Sequence, residues 1–288
     1  MIKEKAWAKL NLSLNIIPDI DYKKDTGYYP VQFVNCELNL HDELIFEKQK
    51  NLVEVFCSSP SLSPTNNSVY ESIILLKKIL HIPELGAKIN LSKNIPIKAG
   101  FGGGSSDAAA ALRGFLKLWR IHASQEVVSE VIRTIGSDVY YSYQGRVCEV
   151  GGRGEKISPI INRMPRFWIV IIVPDEHKPS TGWMYSQLDI SKIGAHRNTI
   201  THIKNGIQDG DKKSILLHLH NDFESVIQKQ FQTIYSMKKI LMSYGAKKTL
   251  FAGSGLSVVG FFLNQKSAQE AQKKLSVHYN NCILTRTK

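Results

Sequence analysis

An α+β fold in two domains is what this sequence predicts, on three observations. Residues 6–16 alternate apolar and polar, and further strand-like runs follow as far as residue 57. A glycine-rich turn at residues 100–104 joins an extended apolar segment to a helix that opens on four alanines. Beyond about residue 160 a second series of strands and helices begins, with its own strand, glycine turn and strand at residues 249–262. At 288 residues and 43% hydrophobic content the chain is long enough for two cores, and the expected domains are residues 1–159 and 160–288.

In the first strand Ala6, Ala8, Leu10, Leu12, Leu14 and Ile16 share one face, and Trp7, Lys9, Asn11, Ser13 and Asn15 the other. A half-buried strand is expected, with Lys9 and Asn11 side by side away from the apolar core. The ordinary fate of such a lysine is to face solvent. Residues 18–26 read as a polar connection closing in Gly27-Tyr28-Tyr29-Pro30. Residues 31–40 form a second strand, Asp42-Glu43 a turn, and residues 44–47 and 52–57 two more strands. A loop rich in Ser, Pro and Asn leads to a helix over 68–80, with Asn66 or Asn67 as N-cap. A strand at 87–91 and an extended segment at 95–97 precede the glycines. Helices over 107–119 and 125–135 follow, the second stopped by Gly136. Asp138 comes just afterwards, where it starts a turn or caps a short helix.

Gly151-Gly-Arg-Gly154 makes a second glycine-rich turn. Residues 167–173 are a buried strand, 180–188 a helix, and 190–205 a stretch with little pattern, expected as a mobile loop. Helices over 212–220, 225–244 and 266–275 and a last strand near 282–284 complete the second series. There is no internal repeat.

Composition narrows the function. No apolar run reaches the length of a membrane span, and charges interrupt the N-terminal residues, so neither a membrane anchor nor a signal peptide is expected and the location reads as cytoplasmic. Cys36, Cys57, Cys148 and Cys282 are far apart and form no Cys-x-x-Cys pair, which suggests neither zinc nor a disulfide framework. The net charge of +12 invites nucleic acid, yet the lysine pairs are dispersed and no basic stripe is interleaved with aromatics, so no nucleic-acid partner is expected.

The segment from Pro96 to Ser106 carries the clearest chemistry. Its glycines permit positive φ and let bare N–H groups approach a ligand, while Ser105, Ser106 or Asp107 can cap the helix that follows. Helix-end amides and the helix dipole attract an anion, and phosphate is the natural guest. A purely structural glycine loop is the alternative. The segment lacks the Gly-Lys-Ser/Thr ending of a Walker loop, and its spacing is not that of a Rossmann fingerprint.

Four separated signals, Ala8-Lys-Leu-Asn-Leu12, the loop from Pro96 to Ser106, Gly136-Ser-Asp138 and Ala252-Gly-Ser-Gly255, together resemble the GHMP small-molecule kinases, in matching order along nearly the whole chain. The Gly-Gly-Gly-Ser-Ser-Asp-Ala-Ala form of the loop, Gly27-Tyr28, Gly152-Arg-Gly-Glu155 and His220-Asn-Asp-Phe-Glu224 resemble the branch acting on a cytidine-diphosphate-linked methylerythritol in the non-mevalonate isoprenoid route. The resemblance implies a two-domain GHMP kinase fold, a ribosomal-S5-like domain followed by a ferredoxin-like one. It further implies ATP-dependent phosphorylation of the acceptor's 2-hydroxyl, with Mg2+, by a monomer or homodimer.

By the same resemblance Asp138 is the catalytic aspartate and Lys9 its neighbouring lysine. Pro96, Ile97, Lys98, Ala99, Gly100, Phe101, Gly102, Gly103, Gly104, Ser105 and Ser106 cradle the phosphates, Ser106 also assisting the metal, and Asn67 and Lys93 fall on the adenine side. Tyr28, Tyr29, Tyr185 and Asn11 fall around the cytosine. Physical chemistry suits these roles: a carboxylate to take a hydroxyl proton, an ammonium to keep it ionised and stabilise charge, and rings to stack on a base. The chain departs from the family pattern where Tyr29 replaces a histidine, Lys98 a small residue, Phe101 a leucine and Tyr140 a proline. Two other readings follow from these features: a GHMP kinase acting on a mevalonate-type or homoserine-type alcohol, and a non-catalytic basic binding protein of the same fold.

Overall fold

The computed structural model describes residues 1–288 and opens on β1 (Ile2–Ile16), which is buried on both faces from Ala8 onward. The half-buried strand expected from its alternation is therefore not what forms. The polar face consists largely of Asn and Ser, whose short side chains can bond to one another in the interior. The expected polar connection coils into α1 (Ile20–Thr26), because the Asp19 carboxylate accepts the Tyr22 N–H at its start and Gly27, at φ +78°, closes it. β2 (Val31–Lys50) runs straight through the turn expected at Asp42-Glu43. Asp42 is fully buried there, and its carboxylate accepts the main-chain N–H groups of Asn94 and Ile95.

β3 (Val53–Cys57) leads to α2 (Ser68–Ile79), whose N-cap is Asn67, and then to β4 (Leu85–Ser92). Residues 95–97 form a bend and a turn instead of extended chain. α3 (Gly103–Trp119) starts four residues before Asp107, on Gly102 at φ +68° with no side-chain cap, so Ser105, Ser106 and Asp107 lie inside the helix. α4 (Gln125–Ile135) is capped by Ser124, and α5 (Asp138–Gln144) begins on Asp138 itself.

β5 (Cys148–Gly152) and β6 (Lys156–Pro159) pair around the Gly152-Arg-Gly turn, and β7 (Trp168–Ile172) and α6 (Thr181–Ser186) follow. Much of the expected patternless loop is α7 (Asn198–Asp209), whose buried Ile200, Ile203 and Ile207 form a helical stripe within otherwise polar sequence. Next come α8 (Lys212–Leu217) and β8 (His220–Asn221). The single helix expected over 225–244 is two, α9 (Glu224–Gln230) and α10 (Gln232–Ser243), because Phe231 leaves helical geometry at φ −133° and ψ 61°. β9 (Lys248–Phe251), β10 (Val258–Phe262), α11 (Gln265–Leu275) and β11 (Cys282–Arg286) end the chain.

Two compact units result. The first comprises residues 1–8, 40–97 and 102–145. In it β4 pairs antiparallel with the second half of β2 and parallel with β3, and α2 to α5 supply the helices. Phe46, Ile73, Ile89, Leu112 and Phe115 lie at its core. The second comprises residues 9–39, 98–101 and 146–288. β5 pairs with the first half of β2, β8 runs parallel to β1 at Ser13 and Leu14, and β11-β7-β10-β9 make an antiparallel sheet. The boundary expected after residue 159 falls within this unit, since the pairing of β5 and β6 with β2 carries residues 148–159 into it. No helix is long and apolar enough to cross a membrane.

Candidate active site

In the first unit the site is built around the start of α3. Gly102 caps without a side chain, so the first N–H groups of a 17-residue helix have neither intrahelical acceptors nor a capping oxygen. Glycine inside a helix costs about 1 kcal/mol relative to alanine, yet Gly103 and Gly104 occupy its first two positions. Geometry explains Gly103: a Cβ there would stand 3.2 Å from Ile95 and 3.4 Å from the Lys93 ammonium. These bare amides at the positive end of a helix dipole fit a phosphate.

Below them lies a buried charge cluster. The Lys93 ammonium contacts the carboxylates of Asp42 and Asp107, the latter at 2.6 Å, and all three side chains are at most 7% exposed. One ammonium cannot neutralise two carboxylates. Burial pushes the Asp107 carboxyl up to about 8 against the downward pull of Lys93, the Asp42 charge adds to the rise, and Asp107 Oδ1 has no hydrogen-bond partner. The cluster pins Lys93 to the second turn of α3 and residues 94–95 to Asp42 on β2, and so fixes both ends of the glycine loop.

Asp138 stands exposed on the first turn of α5. Its carbonyl accepts from the Ser142 hydroxyl at 3.1 Å, Ser142 lies 3.4 Å from the Ser106 hydroxyl, and Ser106 donates to the Trp7 carbonyl at 2.7 Å. This relay ties the segment bearing Asp138 to the helix of the glycine loop. Ser106 is 2% exposed and donates its proton to the Trp7 carbonyl; Ser105 is the more accessible hydroxyl. The Asn67 side chain caps α2 and donates to the carbonyls of Ser63 and Pro64, so it and Lys93 both make contacts inside the unit. At the start of the loop Pro96 is half-buried and Ile97 exposed.

The second unit brings three distant motifs together. Lys9 Nζ donates to Asn11 Oδ1 at 2.7 Å, and Asn11 Nδ2 donates to Asn35 Oδ1 at 2.7 Å, all three buried. The Lys9 N–H donates to the Phe101 carbonyl. Gly253, at φ +57°, packs so closely on this pair that a Cβ would stand 3.1 Å from Asn11 Oδ1 and 3.2 Å from Lys9 Nζ. A Cβ on Gly100 would fall 2.0 Å from the Ala252 carbonyl oxygen, and one on Gly255 2.6 Å from that of Ala99, so the two glycine turns interlock backbone to backbone. Asn221, from β8, donates to the carbonyls of Phe251 and Gly253 and holds the second turn. Ala99 and Phe101 are buried beneath the loop, and Lys98 points to solvent in a left-handed conformation, φ +57°.

Tyr28 is 57% exposed and offers a ring face, with the Arg153 guanidinium 4.3 Å from the ring centroid. Tyr29 is buried at 7%, its ring covered by the Lys23 ammonium at 4.2 Å. Tyr185 is half-buried and meets Phe223 edge-on at 5.0 Å.

The comparisons with known proteins accord with this arrangement. The family model for the N-terminal domain of GHMP kinases matches residues 67–146. The chain is 35% identical to a 4-diphosphocytidyl-2-C-methyl-D-erythritol kinase from Caldicellulosiruptor saccharolyticus, over 98% of this chain and 96% of the relative. It is 33% identical to one from Enterococcus faecalis, over 99% of each. The chain belongs to the 4-diphosphocytidyl-2-C-methyl-D-erythritol kinase family.

As a member of that family, within the GHMP kinases, it is an ATP-dependent small-molecule kinase. A crystal structure of 4-(cytidine 5'-diphospho)-2C-methyl-D-erythritol kinase superposes with a TM-score of 0.82 at 23% identity, covering 99% of both chains. A mevalonate kinase from L. major superposes with 0.73 at 14% identity, covering 100% of this chain and 96% of that one. These two likenesses establish the two-domain GHMP kinase fold.

Reading the sequence alone misses Asn35 and Asn221 in the network around Lys9 and Gly253, and Lys178 against the neighbouring turn. Asn221 lies within the His220-to-Glu224 motif, and an alternating strand whose polar face is Asn and Ser is itself a sign of a buried network. Lys178 carries no sequence signal; only the fold brings it to Ser254.

Proposed function

We propose that this kinase transfers the γ-phosphoryl group of ATP to the 2-hydroxyl of 4-diphosphocytidyl-2-C-methyl-D-erythritol. The observation that carries the reading is its full-length similarity, 35% identity over 98% of the chain, to a kinase named for that acceptor. The new O–P bond forms as the bond to the departing ADP breaks, and the hydroxyl proton goes to the Asp138 carboxylate. Lys9, held by Asn11, stabilises negative charge during transfer. The amides opening α3 hold phosphate oxygens, and the exposed face of Tyr28 stacks on the base with Asn11 nearby.

No cluster of three acidic, His or Cys side chains forms a metal cage. One exposed carboxylate, that of Asp138, fits Mg2+, which in such sites keeps several waters and takes one or two carboxylates plus substrate phosphates. Asp138 is the exposed carboxylate available in the first unit's part of the site. When bound, the ion supplies charge neutralisation on the polyphosphate.

ADP release measured with the cytidine-linked methylerythritol, mevalonate and homoserine tests the proposal. Turnover of the first alone is expected. Turnover of mevalonate or homoserine without it, or of none, overturns the assignment.

A further inference from the structure

Lys178, in the connection between β7 and α6, is half-buried and takes no part in the functions assigned above. Its ammonium donates to the main-chain oxygen and to the hydroxyl of Ser254, each at 2.6 Å, and to the Thr181 hydroxyl at 3.3 Å. Thr181 is the first residue of α6, and its own hydroxyl lies 3.4 Å from that of Ser254. Ser254 directly follows Gly253, the residue pressed against Lys9 and Asn11. A single side chain therefore ties the start of α6 to the turn that buttresses the proposed catalytic lysine.

The charges around it are unusual for a structural lysine. Thr181 from α6 and Ser254 from the turn are neutral, no carboxylate forms an ion pair with it, and the charged group acting on it is Lys9 from β1. Burial first, and then the Lys9 charge, pull its amine down to about 8. Repulsion between the Lys178 and Lys9 ammonium groups is unfavourable in the free protein and is offset once phosphate groups arrive.

We propose that Lys178 is a positioning residue for phosphoryl transfer, clamping the Gly253-Ser254 turn that seats Lys9 and Asn11 and adding its charge to that of Lys9 toward the substrate phosphates. The inference rests on the kinase reading of the site but not on which alcohol is phosphorylated. The ammonium donates to all three oxygens and carries a charge; the free amine has two N–H groups, would take the third contact only by accepting from a hydroxyl, and carries no charge toward the phosphates. Turnover therefore falls as Lys178 loses its proton, as pH rises through about 8.

The test is kcat and KM from pH 6 to 10 for the wild type, Lys178→Arg and Lys178→Met, with whichever alcohol of the panel the wild type phosphorylates. The wild type should lose kcat above about pH 8. Lys178→Arg, which stays charged, should hold kcat to higher pH. Lys178→Met should have kcat lowered roughly 10-fold at pH 7 with no alkaline fall near 8, and an ATP KM within about twofold of wild type. Thermal melts check that each variant is folded. A wild-type alkaline limb in Lys178→Met, or undiminished kcat at pH 7, overturns the inference. If the wild type turns over no alcohol the functional reading fails separately, and a crystal structure of the wild type decides the clamp, a Lys178 ammonium not bonded to Ser254 overturning it.

Discussion

Gly253→Ala tests the site most directly, because the structure separates its two effects. At φ +57° an L-residue is left-handed, which costs about 1–2 kcal/mol. The added methyl would also stand 3.1 Å from Asn11 Oδ1 and 3.2 Å from Lys9 Nζ, tighter than ordinary contact, so those side chains must move by a few tenths of an ångström. Overpacking of that kind adds about 1 kcal/mol. Gly210 supplies the control: φ is +69°, and an added methyl there would meet nothing within 4 Å, so Gly210→Ala carries the backbone cost alone. With an unfolding entropy of about 2.1 cal/mol/K per residue, Gly210→Ala should lower Tm by roughly 2–3 °C and Gly253→Ala by roughly 3–5 °C. A misplacement of about 1 Å in a catalytic group can cost about 100-fold, so a shift of a few tenths at Lys9 should lower kcat/KM by roughly 10-fold, about 1.4 kcal/mol. Gly210→Ala should leave kcat/KM unchanged. ADP-release kinetics and thermal melts on the two variants make the comparison, and equal losses of activity in both would refute the reasoning.

Asp138→Asn should leave the KM for ATP nearly unchanged while lowering kcat by about 100-fold or more, and near-normal turnover would remove Asp138 from the role of base. Tyr28→Ala should raise the KM for the acceptor well above any change in the KM for ATP; equal changes in both would reject base stacking on this exposed ring. The Asp42–Lys93–Asp107 cluster predicts a pH dependence of stability. The folded Asp107 carboxyl lies near 8 against an ordinary 3.8, so its contribution is complete below about 3.8 and is lost as pH rises through about 8. Denaturant unfolding of the wild type should show stability falling between pH 5 and 8, with a flatter profile in Asp107→Asn; parallel profiles would contradict the assignment.

Most of the chemistry was legible in the sequence because it resides in local patterns. The glycine run at 100–104 predicts a loop opening a helix, and that helix forms, although on Gly102 and not on a serine or aspartate cap. Asn67 caps α2 as its position before a helical stripe implies. Asp42-Glu43 misled because an aspartate suits a turn as well as a buried acceptor of main-chain N–H groups, and only the packing of β2 against β4 selects the second. Residues 190–205 misled because three isoleucines spaced through polar sequence make a weak stripe until something is packed against it.

By itself the sequence determined which functional groups the chain carries and in what order: a Lys-x-Asn pair on a strand, two glycine turns, an aspartate after Gly136, and a pair of adjacent tyrosines whose separate fates composition could not foretell. Tertiary structure alone decided which of them meet. Lys9 and Gly253 are 244 positions apart in the chain, yet within one unit the Asn11 and Lys9 side chains stand so close that a methyl on that glycine would be tighter than ordinary contact. Tyr28 presents its ring while Tyr29 is buried under Lys23, and Lys178 reaches a serine 76 positions away. The reason is physical: glycine, lysine and asparagine have weak local preferences, so their positions are set by long-range backbone packing and by the need to pair buried polar groups.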